Sequence, residues 1–325
     1  MSIPNMGKQF GLRLQSQIPS WVGLRPSIPL PATTAISVCP SARRTSPPLV
    51  IRRRRGRCFG FKTSRRAVVF GTGVFMSANF GGKSFLAASS SHKKGAIQEV
   101  LKNVSWPEQF PFKEDDFQRF DESKDSLFYE MPRLVTHIDD PAIAALTRYY
   151  SQALPHTNSP GVAILDMCSS WVSHYPAGYK QTSIIGLGMN AEELRRNPVL
   201  TDYVVQDLNI NPKLPFEDNT FDAITNMVSV DYLTKPIVVF KEMSRVLKPG
   251  GVAIISFSNR CFWTKAISIW TSTGDDDHVM IVGSYFHYAG GFEPPEAVDI
   301  SPNPGRSDPM YVVYSRKQTT QKGGQ

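Results

Sequence analysis

The sequence predicts an α/β fold, a three-layer sandwich built on a mainly parallel β-sheet. Between Tyr203 and Asn259, three short runs rich in Val, Ile and Phe alternate with turn residues and with one helical pattern. This alternation is typical of βαβ units, whose strands lie side by side in the same direction. We therefore expect helices to cover a sheet that this region contributes to.

The helix of this region is its clearest element. Pro236 stands where a first helical turn tolerates proline, and Lys248 and Gly250 follow where a cation and a left-handed cap are favoured. One apolar face recurs at three- and four-residue spacing: Val239, Phe240, Met243, Val246 and Leu247. A strand is expected to resume at residues 252–257.

Three segments of this region together resemble a known family. VVQDLN, LPFEDNTFD and FKEMSRVLKPGG, which begin at Val204, Leu214 and Phe240, are similar to the second half of the class I methyltransferases that use S-adenosylmethionine. The similarity is greatest to the type 11 branch, which includes ubiquinone and menaquinone methyltransferases. It covers roughly residues 162–317 and implies a Rossmann-like three-layer sandwich. Its seven-stranded, mainly parallel sheet would end in an antiparallel C-terminal strand, paired in a hairpin formed by residues 292–299 and 310–315.

The formal net charge of +8 hides two regions of opposite charge. Residues 1–98 hold 16 of the 36 Lys and Arg and no Asp or Glu, which leaves 20 basic against all 28 acidic residues from Glu99 onward. Nucleic-acid binding would require a basic surface on the folded part, so this composition argues against it. Cys168 and Cys261 are the only cysteines beyond the basic region and show no paired spacing, which disfavours a disulfide framework or zinc site.

The basic region has the composition of a targeting segment. Residues 1–63 are rich in Ser, Pro and Arg, and Arg65-Arg66 precede a modestly apolar stretch and small residues near Ala87. We expect residues 1–88 to be a plastid transit segment followed by a twin-arginine thylakoid signal. The alternatives are that Arg65 and Arg66 merely end a long transit segment, which leaves the protein in the chloroplast stroma rather than the thylakoid lumen, or that residues 52–57 direct nuclear import. No apolar run reaches the roughly 20 residues that a membrane-spanning helix needs.

The rest of the chain divides into three parts. Residues 89–155 form a helical lead-in, residues 156–317 the methyltransferase-like domain, and residues 318–325 a polar tail predicted to be disordered. Asp140 and Pro141 are expected to start the lead-in helix, which in the resembled family closes over the cofactor. His137 and His156 flank this helix, and we expect both to be surface or packing residues.

The resemblance places the cofactor after the first strand, at the turn that follows Asp166. In the family this turn is rich in glycine, because bare backbone can lie against the cofactor and adopt angles that a Cβ would strain. Here Cys168, Ser169 and Ser170 replace the glycines, while Asp166 keeps the expected acid. Cys168 could alternatively be a redox-responsive thiol, if a helix N-terminus lowers its pKa, or a small buried filler.

Further positions that the resemblance assigns to S-adenosylmethionine follow the next three strands. Gly188 stands where the family has the acid that binds the ribose, and Asn190 could replace part of that acid's role. Asp207 and Leu208 match the family's adenine contacts. Asn226 and Met227 match the floor of the pocket.

Methyl transfer needs a well-positioned acceptor, and a base only if the acceptor must lose a proton. Asp231 and Tyr232 are candidates for the base, as are His278 and Tyr285 on one face of a predicted lid helix that Tyr288 shares. Ordinary packing of an aromatic stripe is the alternative for the last three. The family's acceptor position also points to three residues after the fifth strand: Asn259, Arg260 and Trp263.

No metal is expected at Asp275–His278, because consecutive carboxylates diverge in direction and Asp277 is a natural helix cap. The sequence therefore predicts an S-adenosylmethionine-dependent methyltransferase that acts on a small molecule, of an isoprenoid or quinone type, in the plastid. A non-catalytic binding or assembly protein with the same fold is the alternative. The acceptor and the oligomeric state stay open.

Overall fold

The computed structural model describes residues 96–319. The predicted transit and twin-arginine segments and most of the predicted tail lie outside this range, as do Cys39 and Cys58. Within it, the helices are α1 Ala96–Val100, α2 Asp125–Phe128, α3 Asp140–Ala153, α4 Ala191–Arg196, α5 Pro236–Val246, α6 Ser268–Thr271 and α7 Asp275–Ala289. The strands are β1 Ala163–Met167, β2 Ser183–Gly188, β3 Asp202–Val205, β4 Phe221–Met227, β5 Leu247–Phe257, β6 Glu296–Asp299 and β7 Tyr311–Arg316.

The seven strands form one sheet in the order β3-β2-β1-β4-β5-β7-β6. The pairs from β3 to β5 are parallel, and β7 runs antiparallel to both β5 and β6. This is the predicted Rossmann-like three-layer sandwich, including its antiparallel C-terminal strand. The strand order reverses at β1, so a crevice opens at the carboxyl ends of β1 and β4.

Alternate residues of the strands supply two hydrophobic cores, one on each face of the sheet. Leu165 points into a core shared with α5 and α7, whereas Ile164 points into a core shared with α3. Successive side chains on a strand face opposite sides, so runs of apolar residues without alternation are required here. This requirement explains the uninterrupted apolar runs at residues 163–165 in β1 and 252–255 in β5.

Three predicted helix boundaries were wrong by a few residues. The side chain of Asp139, not Asp140, caps α3 by accepting the N–H of Ala142 at 3.0 Å. Helix α5 ends at Val246, and Gly250 has a left-handed φ of 78° but lies within β5 instead of capping the helix. Asp277 sits inside the first turn of α7, which begins at Asp275.

The lead-in wraps across the carboxyl edge of the sheet, where residues 119–137 form what we call the strap. The backbone of Asp121 in the strap bonds that of Thr264 at 2.8 Å, and further side chains described below hold it over the strand ends. In residues 96–319 no helix combines the length and hydropathy that crossing a bilayer requires.

Candidate cofactor crevice

A cavity of about 90 Å³, which we call the cofactor crevice, lies between the strap and the strand ends. Its floor comes from the turns after β1, β2 and β3 and from the end of β4. Its lining includes most of the positions that the sequence assigned to a cofactor: Asp166, Cys168, Ser169, Ser170, Gly188, Asp207, Leu208 and Met227. Trp171 does not line it, and its indole N–H instead donates to the carbonyl of Val135 at 2.8 Å.

Asp166 organises the turn that follows β1. One carboxylate oxygen accepts the hydroxyls of Ser169 and Ser173 at 2.5 and 2.7 Å, and the other accepts the Thr225 hydroxyl at 2.8 Å. Burial raises the pKa of this carboxyl and the three hydroxyl groups oppose that rise. Ser169, which replaces a glycine, therefore donates a hydrogen bond to the carboxylate of Asp166.

Cys168 retains the backbone shape of the glycine it replaces. Its φ is 56°, in the left-handed region that costs a residue with a Cβ about 1–2 kcal/mol. No helix follows the turn, and burial raises the pKa of the thiol to about 12, so the thiol stays protonated. The prediction that a helix N-terminus lowers this pKa was therefore wrong, and the geometry favours the interpretation of Cys168 as a buried filler. The fully buried amide of Asn226 lies beside this thiol and has no other hydrogen-bond partner in the described chain.

The end of β2 differs from the expectation. Gly188 lines the crevice, but Asn190 bonds to α4 and to the strap. Its side-chain oxygen accepts the N–H of Glu192 in α4 at 2.9 Å. Its side-chain amide donates to the carbonyl of Tyr129 in the strap at 2.8 Å. Asn190 is not among the residues that line the crevice, so the proposed substitution for a ribose-binding acid does not match its position.

Asp207, which the resemblance assigns to the adenine, lines the crevice after β3. Its Oδ1 accepts the N–H of Asn209 at 2.9 Å and that of Ile210 at 3.3 Å, which fixes the turn. No hydrogen bond to its Oδ2 is found in the described chain. Leu208 and Met227 supply apolar walls on either side of it.

Sequence analysis missed the part of the crevice that comes from outside the strand ends. These lining residues belong to the strap and to α4: Asp125, Tyr129, Arg133, His137 and Glu193. Glu193 is 5% exposed, and its Oε1 accepts the backbone N–H of Arg133 at 2.6 Å. Burial raises the pKa of Glu193. An acid three residues after a helix cap ordinarily indicates a solvated capping box, so no local signal marked it.

A buried polar network anchors the strap near its start. Asp125 accepts the Arg119 guanidinium at 2.7 Å, lies 3.4 Å from the ammonium of Lys265, and accepts the Asn209 amide at 2.9 Å. The Lys265 side chain is only 1% exposed and also donates to the carbonyl of Ser123 at 2.6 Å. The network joins the strap to the loops after β3 and β5.

The four candidates for a catalytic base separate into two groups. Tyr232 lines the crevice, and its hydroxyl accepts the N–H of Phe262 at 2.7 Å. Asp231 is buried behind it, where burial raises the carboxyl pKa to about 8, but it does not line the crevice. His278 stacks on Trp270 at 3.9 Å, and Tyr285 belongs to the hydrophobic core, so neither lines the crevice.

The other predicted acceptor residues are also dispersed. Tyr288 donates to the carbonyl of Pro107 at 2.6 Å and stays remote from the crevice, whereas Trp263 packs on Phe120 at 5.1 Å on the outer side of the strap. Arg260 pairs with Asp308 at 2.8 Å. Within residues 96–319 no group of three or more His, Cys, Asp or Glu side chains is arranged to hold a metal ion.

Comparison with known proteins agrees with this geometry. Residues 180–255 match a family described as a methyltransferase domain. The chain is 33% identical over 109 residues to a demethylmenaquinone methyltransferase of Renibacterium salmoninarum, covering 32% of this chain and 44% of that protein. It is 32% identical over 102 residues to cycloartenol-C-24-methyltransferase 1 of Oryza sativa subsp. japonica, covering 28% and 29%.

Among solved structures, an S-adenosylmethionine-dependent methyltransferase from Mesorhizobium loti matches with a TM-score of 0.38 and 15% identity, over 53% of this chain and 98% of that one. The chain spans less than half the length of the curated relatives it matches. Residues 180–255, which match the methyltransferase family, run from just before β2 into β5. They include the parts of the crevice that follow β2, β3 and β4. The similarity to methyltransferases therefore covers this segment of the domain.

Proposed function

We propose that this protein is an S-adenosylmethionine-dependent methyltransferase that acts on a small molecule of quinone or isoprenoid type in the plastid. The observation that carries the proposal is the position of Asp207 beside Leu208 in a crevice at the carboxyl edge of the sheet. In open α/β sheets ligands bind at this edge, where the strand order reverses. The acceptor class rests on the relatives, which include a quinone and a sterol methyltransferase.

The residues of the crevice fit most parts of the cofactor. Asp207 has a carboxylate oxygen available to an adenine amino group, and Leu208 and Met227 offer apolar contact to the ring. The resemblance assigns Asp166, which also lines the crevice, to the ammonium of the methionine part. When bound, S-adenosylmethionine supplies an activated methyl group, so positioning of the acceptor accounts for most of the remaining chemistry.

Glu193 is the best substitute for the acid missing at position 188. It lines the crevice from α4, and only its Oε1 is used, by the Arg133 amide. A carboxylate that accepts ribose hydroxyls contributes about 1.5–3 kcal/mol. We therefore assign the ribose contact to Glu193 rather than to Asn190.

One observation favours the alternative, a non-catalytic binding or assembly protein. The crevice holds about 90 Å³, which is well below the roughly 300–1,000 Å³ of small-molecule sites. On the enzyme interpretation, the strap must move outward to admit the cofactor. On the alternative, the strap stays in place as a permanent cover.

The proposed location of the protein in the cell rests only on the composition of residues 1–98. Residues 1–98 have the acid-free, arginine-rich composition of plastid transit segments, and Arg65-Arg66 would direct the chain onward to the thylakoid lumen. Stroma and lumen are distinguished by fractionating chloroplasts after import of the full chain.

Calorimetric titration of the full chain with S-adenosylmethionine and with S-adenosylhomocysteine tests the proposed function. We expect binding tighter than about 100 μM, or about −5.5 kcal/mol. The Glu193→Gln variant keeps an oxygen for the Arg133 amide but loses the charge, and we expect it to bind about 10-fold or more weakly. Glu192→Gln, whose side chain pairs with Arg196 at the surface, is the matched control. No heat at millimolar ligand would instead support the non-catalytic alternative.

A further inference from the structure

The strap has an apolar outer face. Ten large hydrophobic side chains are exposed in the part of the chain that the structure describes, and five of them belong to the strap, which makes up less than a tenth of that part. A sixth comes from the loop after β5, where the indole of Trp263 packs against the ring of Phe120 at 5.1 Å. We call these six residues the apolar patch: Phe120, Leu127, Met131, Leu134, Val135 and Trp263.

The strap is polar toward the crevice and apolar toward the outside. At a spacing of four residues, these strap residues line the crevice: Asp125, Tyr129, Arg133 and His137. Displaced from them by two positions, these are exposed: Leu127, Met131 and Val135. A segment at the surface of a protein in water ordinarily has the opposite arrangement. A contiguous apolar area of this kind marks a surface that contacts a protein or a membrane.

The backbone of the strap holds the apolar patch in this orientation. Near the start of the strap, the N–H of Asp121 donates to the carbonyl of Thr264 at 2.8 Å. Near its end, the Trp171 indole donates to the carbonyl of Val135 at 2.8 Å. Because the strap is bonded on both sides of the patch, a partner would meet an ordered surface and the ordering cost of binding would be small.

The charges around the apolar patch balance one another. The strap and Lys265, which anchors it, together carry four basic and four acidic residues: Arg119, Lys124, Arg133 and Lys265 against Asp121, Glu122, Asp125 and Glu130. Three of the acids pair with Arg119 or Lys265, and the guanidinium of Arg133 lies over the ring of Phe128 at 3.8 Å. This surface therefore offers no excess charge to a polyanion or a polycation, and paired charges reduce the cost of approaching an apolar phase.

The side chains of the apolar patch protrude. Phe120 and Met131 are 77% and 74% exposed, and only Val135 of the six residues lines one of the cavities around the strap. Protein partners are held by side chains that fill complementary pockets, whereas the hydrocarbon of a bilayer is fluid and surrounds a protruding side chain without a pocket. Trp263 adds a ring with an apolar body and one N–H donor, which suits the boundary between lipid headgroups and hydrocarbon.

We propose that the apolar patch is a membrane-docking surface, which inserts about 5–10 Å into a bilayer of low net charge. The strap would then lie between the lipid and the cofactor crevice. The partner is the lipid surface, and protein partners, including a second copy of this chain, are the alternatives that the test distinguishes. The inference does not depend on methyl transfer, because the same surface would serve an enzyme or a non-catalytic protein.

The test uses the full chain and vesicles of palmitoyl-oleoyl phosphatidylcholine. An uncharged surface is needed because residues 1–98 carry 16 Lys and Arg and no acid, and would bind anionic lipid by themselves. Flotation measures the bound fraction, and hydrogen exchange measures the protection that vesicles give to residues 119–137. The informative variant combines Leu127→Ser with Met131→Ser. The matched control combines Tyr203→Ser with Val205→Ser, which replace exposed apolar side chains of β3 outside the patch.

We expect the wild type and the control variant to bind the vesicles and to show slower exchange in residues 119–137. The patch variant should bind at least about tenfold more weakly, because two apolar side chains no longer leave water. It should also lose the protection of residues 119–137, even if the leader keeps some of the chain on the vesicles. All three proteins should unfold at the same urea concentration, since the replaced side chains are exposed.

Two results would overturn the proposal. The first is wild-type exchange in residues 119–137 that vesicles leave unchanged, or equal binding and protection in the patch and control variants. The second is a concentration-dependent dimer in sedimentation without lipid that the patch variant fails to form, which would assign the patch to a second copy of the chain.

Discussion

The carbonyl oxygen of Ser169 lies directly against the α-carbon of Gly188. The N–H of Ser169 also donates to the carbonyl of Leu187 at 2.8 Å, so the turn after β1 is bonded to the end of β2. A Cβ added at position 188 would overlap the Ser169 carbonyl. The two departures from the family pattern, the altered turn and the missing ribose acid, are therefore one structural change: a turn pressed this closely against β2 requires glycine at position 188.

Substitution of Gly188 should destabilise the fold rather than restore an acid. We expect Gly188→Ala to lower the free energy of unfolding by about 1–3 kcal/mol, because backbone must shift to admit the Cβ. Urea unfolding measures this loss. Gly188→Asp should lose at least as much stability and gain no affinity for S-adenosylmethionine. Gly274→Ala is the control, since a Cβ there meets no atom within 4 Å. Equal stability of the two alanine variants would contradict the close approach of Ser169.

At position 168 we expect the glycine variant to be more stable than the alanine variant, which reverses their usual order. In a buried position glycine is ordinarily less stable than alanine, yet the φ of 56° at Cys168 favours glycine. We expect Cys168→Gly to be more stable than Cys168→Ala by about 1–2 kcal/mol, as measured by thermal and urea unfolding. Both variants lose the buried thiol, so the difference between their free energies of unfolding reports the backbone strain at position 168. Alanine more stable than glycine would mean that the turn relaxes out of the left-handed region.

Local pattern predicted parallel βαβ units, while the seven-stranded sheet and the site positions were what the resemblance implied. The apolar runs that give β1, β2 and β4 are bounded by turn residues, and their carboxyl ends must meet at one edge in a parallel sheet. Asp207 was assigned because it matches the family's position after the third strand. The helix boundaries shifted because a cap is decided by one side-chain hydrogen bond, and Asp139 and Asp140 are equally good candidates until the geometry is known.

The cover of the crevice could not be predicted in the same way. It depends on contacts between residues far apart in sequence, such as Asp125 with Lys265 and Trp171 with Val135. Periodicity carries no information about such pairs. The aromatic stripe of α7 was open to two interpretations, and packing against the core is the one that the burial of Tyr285 supports.

The buried network around Asp125 should hold the strap in place. Asp125→Asn removes the buried carboxylate that Arg119 and Lys265 share and leaves them only the more exposed Glu122 and Asp121. Loss of one partner from a buried ion pair costs about 3–5 kcal/mol. We expect a loss of this size in urea unfolding, or faster hydrogen exchange in residues 119–137 if the strap detaches before the sheet unfolds.

An exposed ion pair provides the control for this network. Glu99 and Lys102 pair at 2.7 Å with side chains that are 65% and 61% exposed, so Glu99→Gln should change stability by less than about 1 kcal/mol. A similarly small effect of Asp125→Asn would show that the strap is held by its backbone contacts alone.

Asp231 should make the stability of the fold depend on pH. Burial raises its pKa to about 8, compared with about 3.9 in an unfolded chain. Between these values the folded state holds a proton that the unfolded state has released, so the free energy of unfolding falls as pH rises from about 4 to about 8 and then levels off.

Asp231→Asn cannot titrate and is close in shape to the protonated acid. It should match the wild type near pH 4 and exceed it by at least about 2 kcal/mol at pH 8.5. Urea unfolding at pH 4, 7 and 8.5 gives the comparison, with the exposed Asp202→Asn as control. Parallel curves for the wild type and Asp231→Asn would show that Asp231 is ionised in the folded protein at neutral pH.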